Sequence, residues 1–124
     1  MRHVVIAVDP ADTAATQLLQ HSKDFLIQDD DACYVVSVGK SSVEETHPIS
    51  KRTKDIIPHA TVLSFCGDPK ETLLKAIDEI GATLLVVGST TKTPLQKVLL
   101  GSVSQQVAQS ANCDVYIMRR KLNK

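Results

Sequence analysis

No sign of charge predominates in this sequence. Fourteen Lys and Arg face fourteen Asp and Glu over 124 residues, for a formal net charge of zero with His neutral. Nonspecific nucleic-acid binding relies on neutralising phosphates, so a chain without a global positive field is not expected to have a nucleic-acid partner. The one local exception is a basic tail of Arg119, Arg120, Lys121 and Lys124, which reads as a solvated end that keeps the last strand soluble. Cysteine is scarce as well: Cys33, Cys66 and Cys113 lie far apart with no C-x-x-C pair. An odd, scattered set argues against a secreted disulfide framework, and the three are expected to be buried thiols. His3, His21, His47 and His59 show no i, i+4 spacing and no neighbouring Cys or acid pair, so no metal site is expected. Long apolar runs are missing too. HVVIAV at 3–8 stops at Asp9 and has no cleavage site after it, and no run approaches the length of about 20 residues that spans a bilayer. The expected location is cytoplasmic, with no membrane partner.

What the sequence does contain is regular. Five short runs rich in Val, Ile and Leu recur, at 3–8, 33–38, 61–65, 83–88 and 114–118. They are continuously apolar rather than alternating, the pattern of strands covered on both faces. Helical spacing fills the gaps. Ala11, Ala14, Leu18, Ser22 and Phe25 form one stripe; Leu73, Leu74, Ile77 and Ile80 form another; Val103, Val107 and Ser110 or Ala111 form a third. Strand alternating with helix predicts an α/β fold, a three-layer doubly wound sandwich on a parallel sheet with right-handed crossovers. At 13.5 kDa the chain is one domain's worth of sequence, enough to bury a core without staples.

Helix boundaries are marked by capping chemistry. Asp68-Pro69-Lys70-Glu71 supplies a capping carboxylate, a proline at the first helical position and a Glu at the third, so a helix is predicted to begin at Pro69. Gly81 after Ile80 reads as its stop. His47-Pro48 predicts a helix from Pro48 to before Pro58, with Ile49, Thr53 and Ile56 inward.

The stretch GSTTKTPLQKVLLGS at 88–102 has two readings. Thr93-Pro94-Leu95-Gln96 and Ser102-Val103-Ser104-Gln105 are tandem capping patterns that explain both glycines locally, as a short helical segment followed by the last helix. The loop also follows the fourth strand, predicted to lie beside the first. In an open parallel sheet, that is where ligands bind and where a helix N-terminus can receive an anion.

The spacing Gly88, two residues, Thr91, nine residues, Gly101-Ser102 resembles the G-x2-G-x9-G-[ST] loop of the universal stress protein family, with Thr91 in place of its second glycine. The likeness runs through Ile6-Ala7-Val8-Asp9 at the end of the first strand, Ser37-Val38 at the end of the second, LLVVGS leading into the loop, and LLGSVSQQVAQSANCDVYIMR after it. It implies a single universal stress protein domain over 1–124, with a five-stranded sheet in order 3-2-1-4-5, the adenine nucleotide alpha-hydrolase-like fold. It implies a homodimer that binds ATP or AMP and acts in stress response or regulation, with Mg accompanying a triphosphate and at most slow, incidental ATP hydrolysis. Carried over by position, Asp9 would lie near the ribose, Ala7 and Val38 near the adenine, and Val87 and Gly88 beside the nucleotide. Gly101, Ser102, Val103 and Ser104 would hold phosphates through N–H groups and hydroxyls.

Two departures support an alternative, a dimeric interaction module of the same fold that binds no nucleotide. Thr91 is β-branched, resists positive φ and blocks close backbone approach to a phosphate. Pro10-Ala11 stands where the family has Gly-Ser after the first-strand Asp, removing a donor N–H and a hydroxyl. Dimerisation is expected through the apolar edge strand Val115, Tyr116, Ile117 and Met118, and the family resemblance implies that its partner is the same strand of a second copy, antiparallel across a two-fold axis. Cys66, just before a helix N-terminus, is either an ordinary strand-end cysteine or a redox thiol.

Overall fold

The computed structural model describes residues 1–8, 15–39, 47–88 and 102–118. Five parallel strands form one sheet: β1 (His3–Val8), β2 (Ala32–Gly39), β3 (Thr61–Cys66), β4 (Leu84–Gly88) and β5 (Asp114–Met118), in spatial order β3-β2-β1-β4-β5. That is the order 3-2-1-4-5 and the doubly wound architecture anticipated above. The strand bounds fall within a residue of those expected. Among the described residues four helices make the crossovers: α1 (Ala15–His21), which runs on into a π turn at Ser22–Leu26, α2 (His47–Ile56), α3 (Pro69–Ile80) and α4 (Ser102–Ser110).

Burial on both faces explains the continuous apolar strands. Val4, Val5 and Ile6 of β1 and Leu85 and Val86 of β4 are wholly buried. Because successive side chains point to opposite faces, β1 divides its residues between two cores. Val4, Ile6 and Val8 pack with Leu18 and Leu19 of α1, Cys33, Val35 and Ile57. Val5 packs with Val36, with Leu73 and Ile77 of α3 and with Val107 of α4. The sheet is thus a middle layer, with α1 and α2 on one face and α3 and α4 on the other. Among the described residues no helix is long and apolar enough to cross a membrane.

Local chemistry holds α3 as its sequence predicts. The Asp68 carboxylate accepts a hydrogen bond from the Glu71 backbone N–H at 3.0 Å, and Pro69 opens the helix. At the other end Gly81 adopts φ +75°, which L side chains rarely take. The N–H groups of Gly81 and Ala82 then reach the carbonyls of Asp78 and Ile77 at 3.2 and 2.9 Å, closing the last turn. In α2, Thr53 is fully buried and Ile56 packs against the core as expected. Of the third stripe, Val107 is buried, Ala111 packs on the same core and Ser110 is exposed.

Helix one departs from expectation. Leu18 and Ser22 are buried, yet Phe25 is 75% exposed rather than inward. The Ile27 N–H donates to the Ser22 carbonyl at 2.9 Å, five residues back, while the Ser22 hydroxyl donates to the Leu18 carbonyl at 2.8 Å. This single wide turn breaks the 3.6-residue phase, and Leu26 packs against the core instead. Ala11, Ala14 and the short segment expected at Thr93 lie outside the described residues, and the side chain of Val103 is not described.

Candidate functional site

Parallel strands share a carboxyl edge, and the chain order fixes where that edge opens. From β1 the chain passes through α1 to β2 and on to β3 on one side. It then crosses by α3 to β4 on the other side of β1. The connections therefore diverge between β1 and β4, the switch point where open α/β sheets take ligands.

Three of the residues expected at a nucleotide meet on one face there. Ala7 of β1, Val38 of β2 and Val87 of β4 all belong to the core cluster on the α3/α4 side. Pairing of Ala7 with Val36 and of Ile6 with Val86 sets Ala7 between β2 and β4, with Val38 two residues further toward the carboxyl edge. Val87 is buried, whereas Ala7 and Val38 are only half-buried although they sit on interior strands. Together they make an apolar shelf that helix cover leaves partly open at the edge. Gly88 ends β4 beside Met118, and a Cβ built on it would meet the Leu18 side chain at an ordinary 3.8 Å. Its missing side chain therefore belongs to the α1 face, opposite the shelf. Gly39, which ends β2 beside Cys66, stands at the same edge; no motif singles it out in the sequence.

Helix α4 carries Val107 into that same core. A helix joining two parallel strands runs back against them, so its first residue, Ser102, lies toward the carboxyl edge. Asp9, Thr91 and Gly101 lie outside the described residues, as do the side chains of Ser102, Val103 and Ser104.

The cysteines differ from expectation. Cys33 on β2 is buried, and desolvation pushes its thiol up to about 12. Cys113 is half-buried and also raised, chiefly by burial. Cys66 is exposed, a correction to the expected third buried thiol. It ends an edge strand at the turn of Gly67, whose φ of +139° takes the chain away from the sheet. At the opposite, amino edge, a shallow groove of about 240 Å³ is lined by Ile77, Asp78, Gly81, Ala82, Asn112 and Cys113. Asn112 Nδ2 donates across it to Asp78 Oδ1 at a long 3.5 Å.

Comparison with known proteins decides the family. The profile of the universal stress protein family matches residues 39–119. The chain belongs to the universal stress protein family. Universal stress protein MJ0577 of Methanocaldococcus jannaschii is 32% identical over 78 residues, 63% of this chain and 44% of that protein. Universal stress protein YxiE of Bacillus subtilis is 42% identical over 53 residues, 43% of this chain and 36% of that protein. The matched stretch thus spans less than half the length of each of these relatives. Solved structures share the fold along nearly the whole chain. A universal stress protein in complex with cAMP superposes with TM-score 0.75 at 21% identity, covering 94% of this chain and 95% of that one. One from Archaeoglobus fulgidus in complex with dAMP gives 0.67 at 20%, covering 94% and 97%. A family protein from Arabidopsis thaliana with AMP bound gives 0.72 at 19%, covering 98% and 93%.

Proposed function

We propose that this universal stress protein binds an adenine nucleotide, ATP or AMP, at the carboxyl edge of its sheet, and that as a homodimer it presents a ligand-dependent surface in stress response or regulation. The observation that carries this reading is the half-open shelf of Ala7, Val38 and Val87 at the switch point, on the side where α4 begins. An adenine ring is flat and largely apolar on its faces, which suits such a shelf. Phosphates are anions, which suit the free N–H groups of a helix start. The nucleotides bound by similarly folded family members, cAMP, dAMP and AMP, support the same ligand class.

In this reading Asp9 meets the ribose, Gly88 borders the nucleotide, and Gly101, Ser102, Val103 and Ser104 hold the phosphates. Among the described residues no group of three or more His, Cys, Asp or Glu could hold a metal. A magnesium ion arriving with a triphosphate would be held mostly by phosphate oxygens and water, as that ion prefers. There it would neutralise phosphate charge.

Thr91 and Pro10 favour a second reading, a dimeric interaction module that has lost the ligand. Titration with labelled ATP and magnesium separates the two: saturable binding supports the first, and none at millimolar ligand supports the second. Thr91→Gly refines the test. If threonine bulk is the obstacle, affinity rises more than tenfold, about 1.4 kcal/mol; an unchanged constant clears Thr91 of that role. The dimer itself is proposed to form along β5, whose far side meets no described strand.

A further inference from the structure

Phe65 stands at the carboxyl end of β3 and is only half-buried. Successive strand residues face opposite ways. Leu63 and Phe65 pack on the α3/α4 core, while Ser64 between them turns to the other face, its hydroxyl 3.5 Å from that of Ser37. In the sheet register Phe65 is the neighbour of Val38, so it continues the shelf of Ala7, Val38 and Val87 by one strand and puts an aromatic ring where the others are aliphatic. Strand β3 is the outermost on that side, which makes Phe65 the end of the row. Two helices begin at the carboxyl edge over this face, and they differ in what they offer an anion. The start of α3 already holds carboxylates: Asp68 caps it, accepting from the Glu71 N–H at 3.0 Å, and Glu71 lies in its first turn. The first turn of α4 has no acid. Phosphates are therefore repelled from the β3 side and drawn to the α4 side, which leaves the base to the side of Val38.

We propose that Phe65 forms the far wall of the base pocket and makes the site selective for purines over pyrimidines. The proposal rests on the nucleotide reading above and names the side chain that reads the size of the base. From β4 to β2 is two strand spacings, about 10 Å, a span that phosphates and ribose cover. Phe65 lies one spacing, about 5 Å, beyond Val38. A purine is joined to its ribose through the five-membered ring, so the six-membered ring points away from the sugar and reaches Phe65. A pyrimidine has no second ring and stops over Val38. Contact between a base and an aromatic side chain is strong enough to separate the two classes.

Calorimetric titration with ATP, CTP and inorganic triphosphate, each with magnesium, tests it in wild type, Phe65→Leu and Phe65→Tyr. Wild type is expected to bind ATP at least about tenfold tighter than CTP. Phe65→Leu is expected to weaken ATP at least about fivefold while CTP and triphosphate stay within about twofold, and Phe65→Tyr to keep the wild-type affinity for ATP. A wild type that binds no ATP overturns the nucleotide reading, and this proposal with it. If wild type binds ATP and CTP equally, or if Phe65→Leu leaves ATP unchanged or weakens ATP and CTP alike, the nucleotide site stands and the role of Phe65 is overturned. Phe65→Trp gives an independent readout that keeps an aromatic ring in place, since the chain has no native Trp. Saturating ATP is expected to quench its emission and inorganic triphosphate to leave it unchanged; ATP binding without quenching overturns the contact.

Discussion

Arg2 and Asp31 form a paired contact that joins the start of β1 to the turn before β2. Arg2 Nη2 donates to Asp31 Oδ2 at 2.6 Å and to the Leu26 carbonyl at 2.9 Å, and Nε donates to Asp31 Oδ1 at 3.1 Å. The Gln28 N–H adds a bond to the same carboxylate at 2.8 Å. These donors, the Arg2 guanidinium first, hold the Asp31 carboxyl below its ordinary range against the opposing effect of burial. A depressed native pKa adds stability above the unfolded value of about 3.9, and that stability is lost as pH falls through the native one. Asp31→Asn is therefore expected to lower the urea midpoint at neutral pH, with the gap from wild type closing in acid; a gap constant with pH would contradict the pairing. Thr53 poses the opposite case. It is fully buried, and its hydroxyl meets no hydrogen-bond partner among the described residues. Replacing an unsatisfied buried hydroxyl by a methyl of the same shape removes a desolvation penalty, so Thr53→Val is expected to stabilise by about 1 kcal/mol in urea unfolding.

Elements were legible in the sequence to the degree that their signals are local. The cap at Asp68, the stop at Gly81 and the five apolar runs depend on neighbours within a few residues, and each stands where its sequence puts it. Gly81→Ala tests the stop. A Cβ there would meet nothing within 4 Å, so the expected loss, about 1–2 kcal/mol by urea unfolding, comes from the left-handed backbone alone. A loss near zero would show that the last turn of α3 rearranges. Phe25 was misread because a π turn leaves no mark in apolar spacing: Phe25 and Leu26 are adjacent and both apolar, so only the broken phase decides which turns inward. Cys66 was misread because the apolar run around it says nothing about which strands are edges. Of the candidate site, Ala7, Val38 and Val87 were legible through strand ends and family spacing. Gly39 was not, since no motif calls for it.

At the scale of the whole molecule, chain order creates the site. One crossover from β3 to β4 reverses the winding direction and puts the switch point beyond the carboxyl ends of β1 and β4. In the function proposed above, the carboxyl edge, with Ala7, Val38, Val87 and the start of α4, would take the nucleotide, and the lateral edge of β5 would pair with a second copy. Strand β4 lies between them, pairing with β1 on one side and β5 on the other, Gly88 opposite Met118. On that proposal, β4 would be the short route by which ligand occupancy reaches the β5 edge. The most direct test of the central claim is a residue-resolved amide NMR titration of the 13.5 kDa chain with ATP and magnesium. Saturable shifts are predicted at Ala7, Val38, Gly39, Val87, Gly88 and Ser102. Shifts confined to the amino-edge groove around Asp78 and Cys113, or none at millimolar nucleotide, would contradict it.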